Sequence, residues 1–167
     1  MWSPRIEEEQ CGKTIGEDFI VNKLISAAFA ALFSAGSAVA APLCGELGFA
    51  GLLAKCNRGE PIEITLGSGK PLGKGAIALQ SGAYYEMRIT ADGSAELALT
   101  GAPFFRAIWM NEIVINGIEV RPMAIDSLEF DEAGTATLSF IAIKPGSYEV
   151  RIPNTTSDSQ KVAISIQ

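Results

Sequence analysis

The sequence predicts an all-β domain, a sandwich of seven to nine short strands, and three observations predict it. Apolar and polar residues alternate with period two in Ile62-Glu63-Ile64-Thr65-Leu66. The same period recurs at Ala136, Leu138, Phe140 and Ala142, at Tyr148, Val150 and Ile152, and at Val162, Ile164 and Ile166. That period puts every second side chain on one face of a strand. The runs are short and broken by Gly, Pro and Asn, the residues of turns. Finally, Asn116-Gly117 stands between Ile113-Val114-Ile115 and Ile118-Glu119-Val120. Both central residues tolerate positive φ, so this pair specifies a two-residue hairpin. Many short strands of this kind pack as two sheets around one core.

The elements follow in order. Ile62–Leu66 is the first strand, and a glycine-rich turn runs from Gly67 to Gly75. Ala76–Leu79 begins a strand that breaks at Ser81-Gly82 and resumes over Ala83–Thr90, with Tyr85, Met87 and Ile89 on one face and Tyr84, Glu86 and Arg88 on the other. Asp92-Gly93 marks a turn, and Ser94–Thr100 is the returning strand, with Leu97 and Leu99 facing in. After the Asn-Gly hairpin come Ser127–Phe130, Thr135–Ile143, Ser147–Ile152 and Lys161–Ile166.

Residues 1–40 read as an upstream extension and a cleavable signal peptide. Lys23 supplies a positive charge, Leu24–Phe33 an apolar stretch, and Ala38-Val39-Ala40 a cleavage signal. The apolar stretch is shorter than the ~20 residues of a membrane span. The acidic residues before Val21 sit oddly ahead of a signal peptide. Either translation starts near Val21 or the signal carries a long n-region. Cleavage removes Cys11 and leaves Cys44 and Cys56, an even count that favours a disulfide in a periplasmic or secreted protein. Were Glu46–Lys55 one straight helix, these cysteines would lie ~18 Å apart, out of reach. Gly45, Gly48 and Gly51 allow a bend that would bring the cysteines together, with two free thiols as the alternative. The expected organisation is thus 1–40 as leader, 41–60 as a cysteine-bearing segment and 61–167 as the sandwich.

Charge and composition exclude several functions. With 13 basic and 19 acidic side chains the net charge is −6, the wrong sign for phosphate-binding surfaces. Nucleic acid is therefore not an expected partner, and no stable membrane span is expected once the leader is removed. The sequence holds no histidine, which removes imidazole acid–base catalysis and imidazole metal ligands. No Ser or Thr has a visible base partner, so no enzyme is expected and no cofactor.

The run "SLEFDEAGTATLSFIAIKPGSYEVRIP" resembles the C-terminal half of small cupredoxins, through Gly134, Phe140, Pro145, Gly146 and Tyr148. The segment from Gly67 through Tyr84–Thr90 is similar to the opening of the same family. The resemblance implies a cupredoxin-like Greek-key β-sandwich over residues 62–167. It also implies a type 1 copper site of two histidines, a cysteine and an axial methionine. This chain departs from that set: Ile152 stands at the cysteine position, and Asn154–Gln160 replaces the loop of the remaining ligands. The expected role is a binding module for a protein or small ligand, with metal handling through Met or carboxylate groups as the alternative.

Phe104, Phe105, Arg106 and Trp109 have the composition of an interface anchor and are the partner-binding candidates. The alternative is that Phe104, Ile108 and Trp109 plug one end of the sandwich. Arg106 and Arg121 could flank an anionic ligand or pair with Glu112 and Glu119. Met110 and Met123, with Met87, are weak candidates for a soft thioether site. Asp126, Glu129, Asp131 and Glu132 read as a solvated strand end.

Overall fold

A computed structural model describes residues 43–167. The leader and Cys11 lie outside the described residues. The chain opens with two 3-10 turns, Gly48–Leu53 and Lys55–Asn57. Gly48 and Gly51 adopt φ of 58° and 56°, a region that costs a side-chain-bearing residue energy. They fold the segment back, so that Cys44 and Cys56 form a disulfide with Cα atoms 5.8 Å apart. Buried Asn57 fastens this segment to the sandwich. It accepts from the Leu43 N–H at 2.9 Å and donates to the carbonyls of Leu52 at 2.9 Å and Gly82 at 2.8 Å.

Ten strands follow: β1 (Ile62–Leu66), β2 (Ile77–Leu79), β3 (Tyr84–Ala91), β4 (Leu97–Thr100), β5 (Ile108–Ile115), β6 (Ile118–Val120), β7 (Ser127–Phe130), β8 (Gly134–Ala142), β9 (Gly146–Arg151) and β10 (Lys161–Ile166). A four-residue helix, α1 (Ala102–Phe105), precedes β5. The strands form two five-stranded sheets of order β1-β3-β8-β5-β6 and β2-β10-β9-β4-β7. β1 runs parallel to β3 and β2 parallel to β10, while the other pairings are antiparallel. The architecture is a sandwich of two mixed five-stranded sheets, as the sequence predicts. Among the described residues no helix is long and apolar enough to cross a membrane.

The count is ten rather than seven to nine because β2 and β3 are not one interrupted strand. They belong to different sheets. The crossing happens between two adjacent residues: Ser81 N–H donates to Gln167 beside the end of β10, and Gly82 N–H donates to Ala142 at the end of β8. β4 likewise does not return along β3. After Asp92-Gly93 the chain changes sheet, and β4 pairs with β7 and touches β9 at Thr100 and Arg151. Periodicity reports which face is buried, not which strand lies alongside.

The inward faces match the alternation. Ile62, Ile64 and Leu66 of β1, Ala136, Leu138, Phe140 and Ala142 of β8, and Val162, Ile164 and Ile166 of β10 all belong to one buried cluster. Tyr85, Met87 and Ile89 of β3 join it, as does Leu99 of β4. Burying one such side chain contributes on the order of 1.5–3 kcal/mol. The Asn116-Gly117 hairpin forms as the sequence requires: Ile115 pairs with Ile118 across it, with φ of 50° and 79° at its two central residues.

Candidate functional site

The end of the sandwich where the resemblance would place copper is closed by the chain itself. Ile152, at the thiolate position, is only 4% exposed and belongs to the core. The loop beyond it is tied down by backbone and side-chain bonds. Thr155 Oγ1 donates to the Ile152 carbonyl at 2.6 Å, and Arg151 donates to the Thr155 carbonyl. Gln160 Nε2 donates to the Lys70 carbonyl at 2.7 Å, and the Leu72 N–H donates to the Ser159 carbonyl at 2.8 Å. Asp158 and Lys161 pair at 2.8 Å; the hydrogen bond between them lowers the Asp158 carboxyl and raises the Lys161 ammonium from their ordinary values. Beside this loop Lys70 reaches Asp92 at 2.6 Å. That hydrogen bond, helped by Ser94, holds the Asp92 carboxyl far below the usual carboxylate range. An aliphatic side chain in place of a thiolate, in a sequence without histidine, does not fit a type 1 copper ion. Among the described residues no group of three or more His, Cys, Asp or Glu could hold a metal. Met87 and Met110 lie in the core and Met123 is fully exposed.

The anchor candidates divide. Pro103 near the helix start and the extended Gly101 before it set up α1. Gly101 is required by space, since a Cβ there would come within 2.7 Å of Val150 Cγ1. α1 drives Phe104 and Phe105 into the core, where both are buried. Phe104 packs edge-on against Phe140 and also reaches Tyr148, with centroids 5.7 and 6.3 Å away. It therefore joins the two aromatic residues of the cupredoxin-like motif. Arg106 is exposed and pairs with Asp126 at 2.9 Å, while Arg121 pairs with Glu112 at 3.0 Å and Glu119 at 3.3 Å.

Trp109 is different. It is 48% exposed, and its neighbours place it on the outer face of its sheet. Met110 pairs with Phe140 and Phe140 with Tyr85, all core residues; one position away, Trp109 pairs with Ile141 and Ile141 with Tyr84. Trp109, Ile141 and Tyr84 thus form a row across β5, β8 and β3, facing away from the core. Ile141 and Tyr84 are buried yet lie outside the core cluster. At the far end the Arg58 guanidinium sits over the Tyr84 ring, 4.5 Å from its centroid, and pairs with Glu86 at 3.3 Å. A hollow of about 150 Å³ opens there, lined by Arg58, Gly59, Pro61, Tyr84 and Glu86. Below the row the face turns polar: Asn111, at the β5 bulge, donates to Ser139 at 3.0 Å, and Arg88 pairs with Glu63 at 3.2 Å. Sequence reasoning found Trp109 but not Ile141, Tyr84 or Arg58. The only local signal was apolar character at positions outside the inward alternation.

A larger groove of about 1030 Å³ runs between the edge strands β1 and β2, bordered by Arg58, Pro61, Lys74, Ile77, Tyr85 and Gln167.

No family model matches the sequence, and no curated protein matches it. Solved structures similar to it include the multi-copper oxidase from Pseudomonas thermotolerans, at 12% identity and a TM-score of 0.49, covering 65% of this chain and 29% of that one. The copper nitrite reductase from Nitrosomonas europaea is 16% identical with a TM-score of 0.44, covering 57% of this chain and 33% of that one. Auracyanin B is 9% identical with a TM-score of 0.41, covering 64% of this chain and 88% of that one. The chain spans about a third or less of the length of the first two.

Proposed function

We propose that this chain is an exported, non-enzymatic binding module of cupredoxin-like fold, lacking a type 1 copper centre, that docks a protein partner through the exposed Trp109 and Arg58 side chains flanking the buried Ile141 and Tyr84. The observation that carries this reading is the half-exposed Trp109 indole beside Ile141 and Tyr84, on a face that turns polar and ion-paired toward Glu86 and Arg88. Trp, Tyr and Arg are the residues that dominate interface energies when a partner removes them from water. Phe104 and Phe105 take no part in this surface, because they fill the core. The Cys44–Cys56 disulfide is compatible with export.

A photo-crosslinking amino acid at position 109, in protein produced in its native host, tests the proposal. One dominant adduct, lost when the crosslinker moves to Lys74 on the other groove, is expected. Equal, diffuse labelling from both positions would defeat it.

A further inference from the structure

We propose that β6 is a self-association edge, through which two copies of this chain pair antiparallel across a two-fold axis centred on Val120. Three features of this short strand point there.

The first is its hydrogen-bonding phase. β6 ends its sheet among the described residues. In the two-residue hairpin the Ile118 N–H faces the Ile115 carbonyl, as the turn requires. Bonding direction alternates along an antiparallel strand. Val120 therefore also turns its backbone to β5 and Glu119 turns its outward; Arg121, one residue past the end of β6, would face outward if the strand were extended by pairing.

The second is the side-chain pattern. Ile118 and Val120 lie opposite Ile115 and Ile113, on the core side of the sheet, yet they are 66% and 44% exposed. Edges protected from self-pairing commonly turn charges inward. This one turns apolar groups inward.

The third is charge. With Val120 opposite Val120 of a second copy, Glu119 faces Arg121 of that copy, twice over by symmetry. These are the two residues whose backbone groups point outward in the extended strand. Ile118 then faces Pro122, at a position where the strand needs no outward N–H, so the missing proline donor costs nothing. The neighbouring registers set Glu119 against Glu119, or Arg121 against Arg121, and like charges directly opposite are destabilising. Arg121 already reaches Glu112 at 3.0 Å and Glu119 at 3.3 Å within one chain, yet it is 65% exposed and can extend these pairs to a second copy. The edge is short, so the dimer is weak and concentration-dependent.

Sedimentation equilibrium of protein produced from the full chain, from ~1 µM to ~1 mM, tests this. The wild type should dimerise within that range. Glu119→Arg alone and Arg121→Glu alone should each raise the dissociation constant at least ~10-fold, by placing like charges opposite. An equimolar mixture of the two variants should form a heterodimer of near wild-type strength, because every pair is again complementary. Val120→Cys should crosslink to itself, since the facing Cα atoms would lie about 4.5 Å apart, within disulfide reach. Circular dichroism of each variant should match the wild type. A wild type that stays monomeric throughout would overturn the proposal, even if another protein captured the same edge. A dimer indifferent to both charge reversals would overturn it as well.

Discussion

Phe104 meets Phe140 edge-on, with ring centroids 5.7 Å apart and ring planes at 89°. The contact locks α1 onto the C-terminal half of β8, so a residue that reads as an interface anchor in the sequence closes the core instead. Phe104→Ala should cost about 3–5 kcal/mol of stability, because it leaves a cavity among fully buried neighbours. Urea unfolding measures this. A loss below ~1 kcal/mol would show that α1 does not seal the sandwich.

The Cys44–Cys56 bond closes a short loop at the front of the domain. Replacing both cysteines by serine should lower stability by roughly 3 kcal/mol through the greater freedom of the unfolded chain. The folded circular dichroism spectrum should remain β-rich, since Asn57 still holds the segment through its bond to the Gly82 carbonyl. Unfolding curves of the oxidised protein and the double variant make the comparison.

Asp92 gives the fold an acid sensitivity. Its carboxyl is held below its ordinary 3.8 by the Lys70 and Ser94 hydrogen bonds. A depressed carboxyl contributes stability above its unfolded value, and that contribution disappears as pH falls through the folded one. Wild type should therefore exceed Asp92→Asn by a constant margin near neutral pH. The margin should shrink as pH falls below 3.8. Chemical unfolding of both proteins across that range reads it out, and a margin that widens in acid would contradict the assignment.

Adding Cu(II) should leave the protein without an intense blue absorption band. Ile152 occupies the thiolate position as a core residue, and the charge-transfer colour of a type 1 site needs the cysteine sulfur. A visible-absorption titration checks this directly.

What the sequence made legible was local. Asn116-Gly117 demanded positive φ at both residues and obtained it. The alternation at Ile62–Leu66 and Ala136–Ala142 named the inward face because one face of each strand had to leave water. Partnership between strands was not legible. Nothing near Ser81-Gly82 announces that their N–H groups bond to different sheets. The row Trp109–Ile141–Tyr84 depends on the register of three strands far apart in the chain. Composition drew attention to Phe104–Trp109, but burial then divided it, since α1 sends its two phenylalanines inward and the bulged β5 turns Trp109 out.

The measurement that bears most directly on the binding-module reading is Trp109→Ala, followed in two assays. If Trp109 is a surface anchor, urea unfolding should show a loss below about 1.5 kcal/mol, because the half-exposed indole leaves little cavity. Affinity for the partner crosslinked at this face should meanwhile fall by at least ~2 kcal/mol. A stability loss of about 3–5 kcal/mol, with partner affinity unchanged in the fraction that remains folded, would contradict the account and return Trp109 to the core.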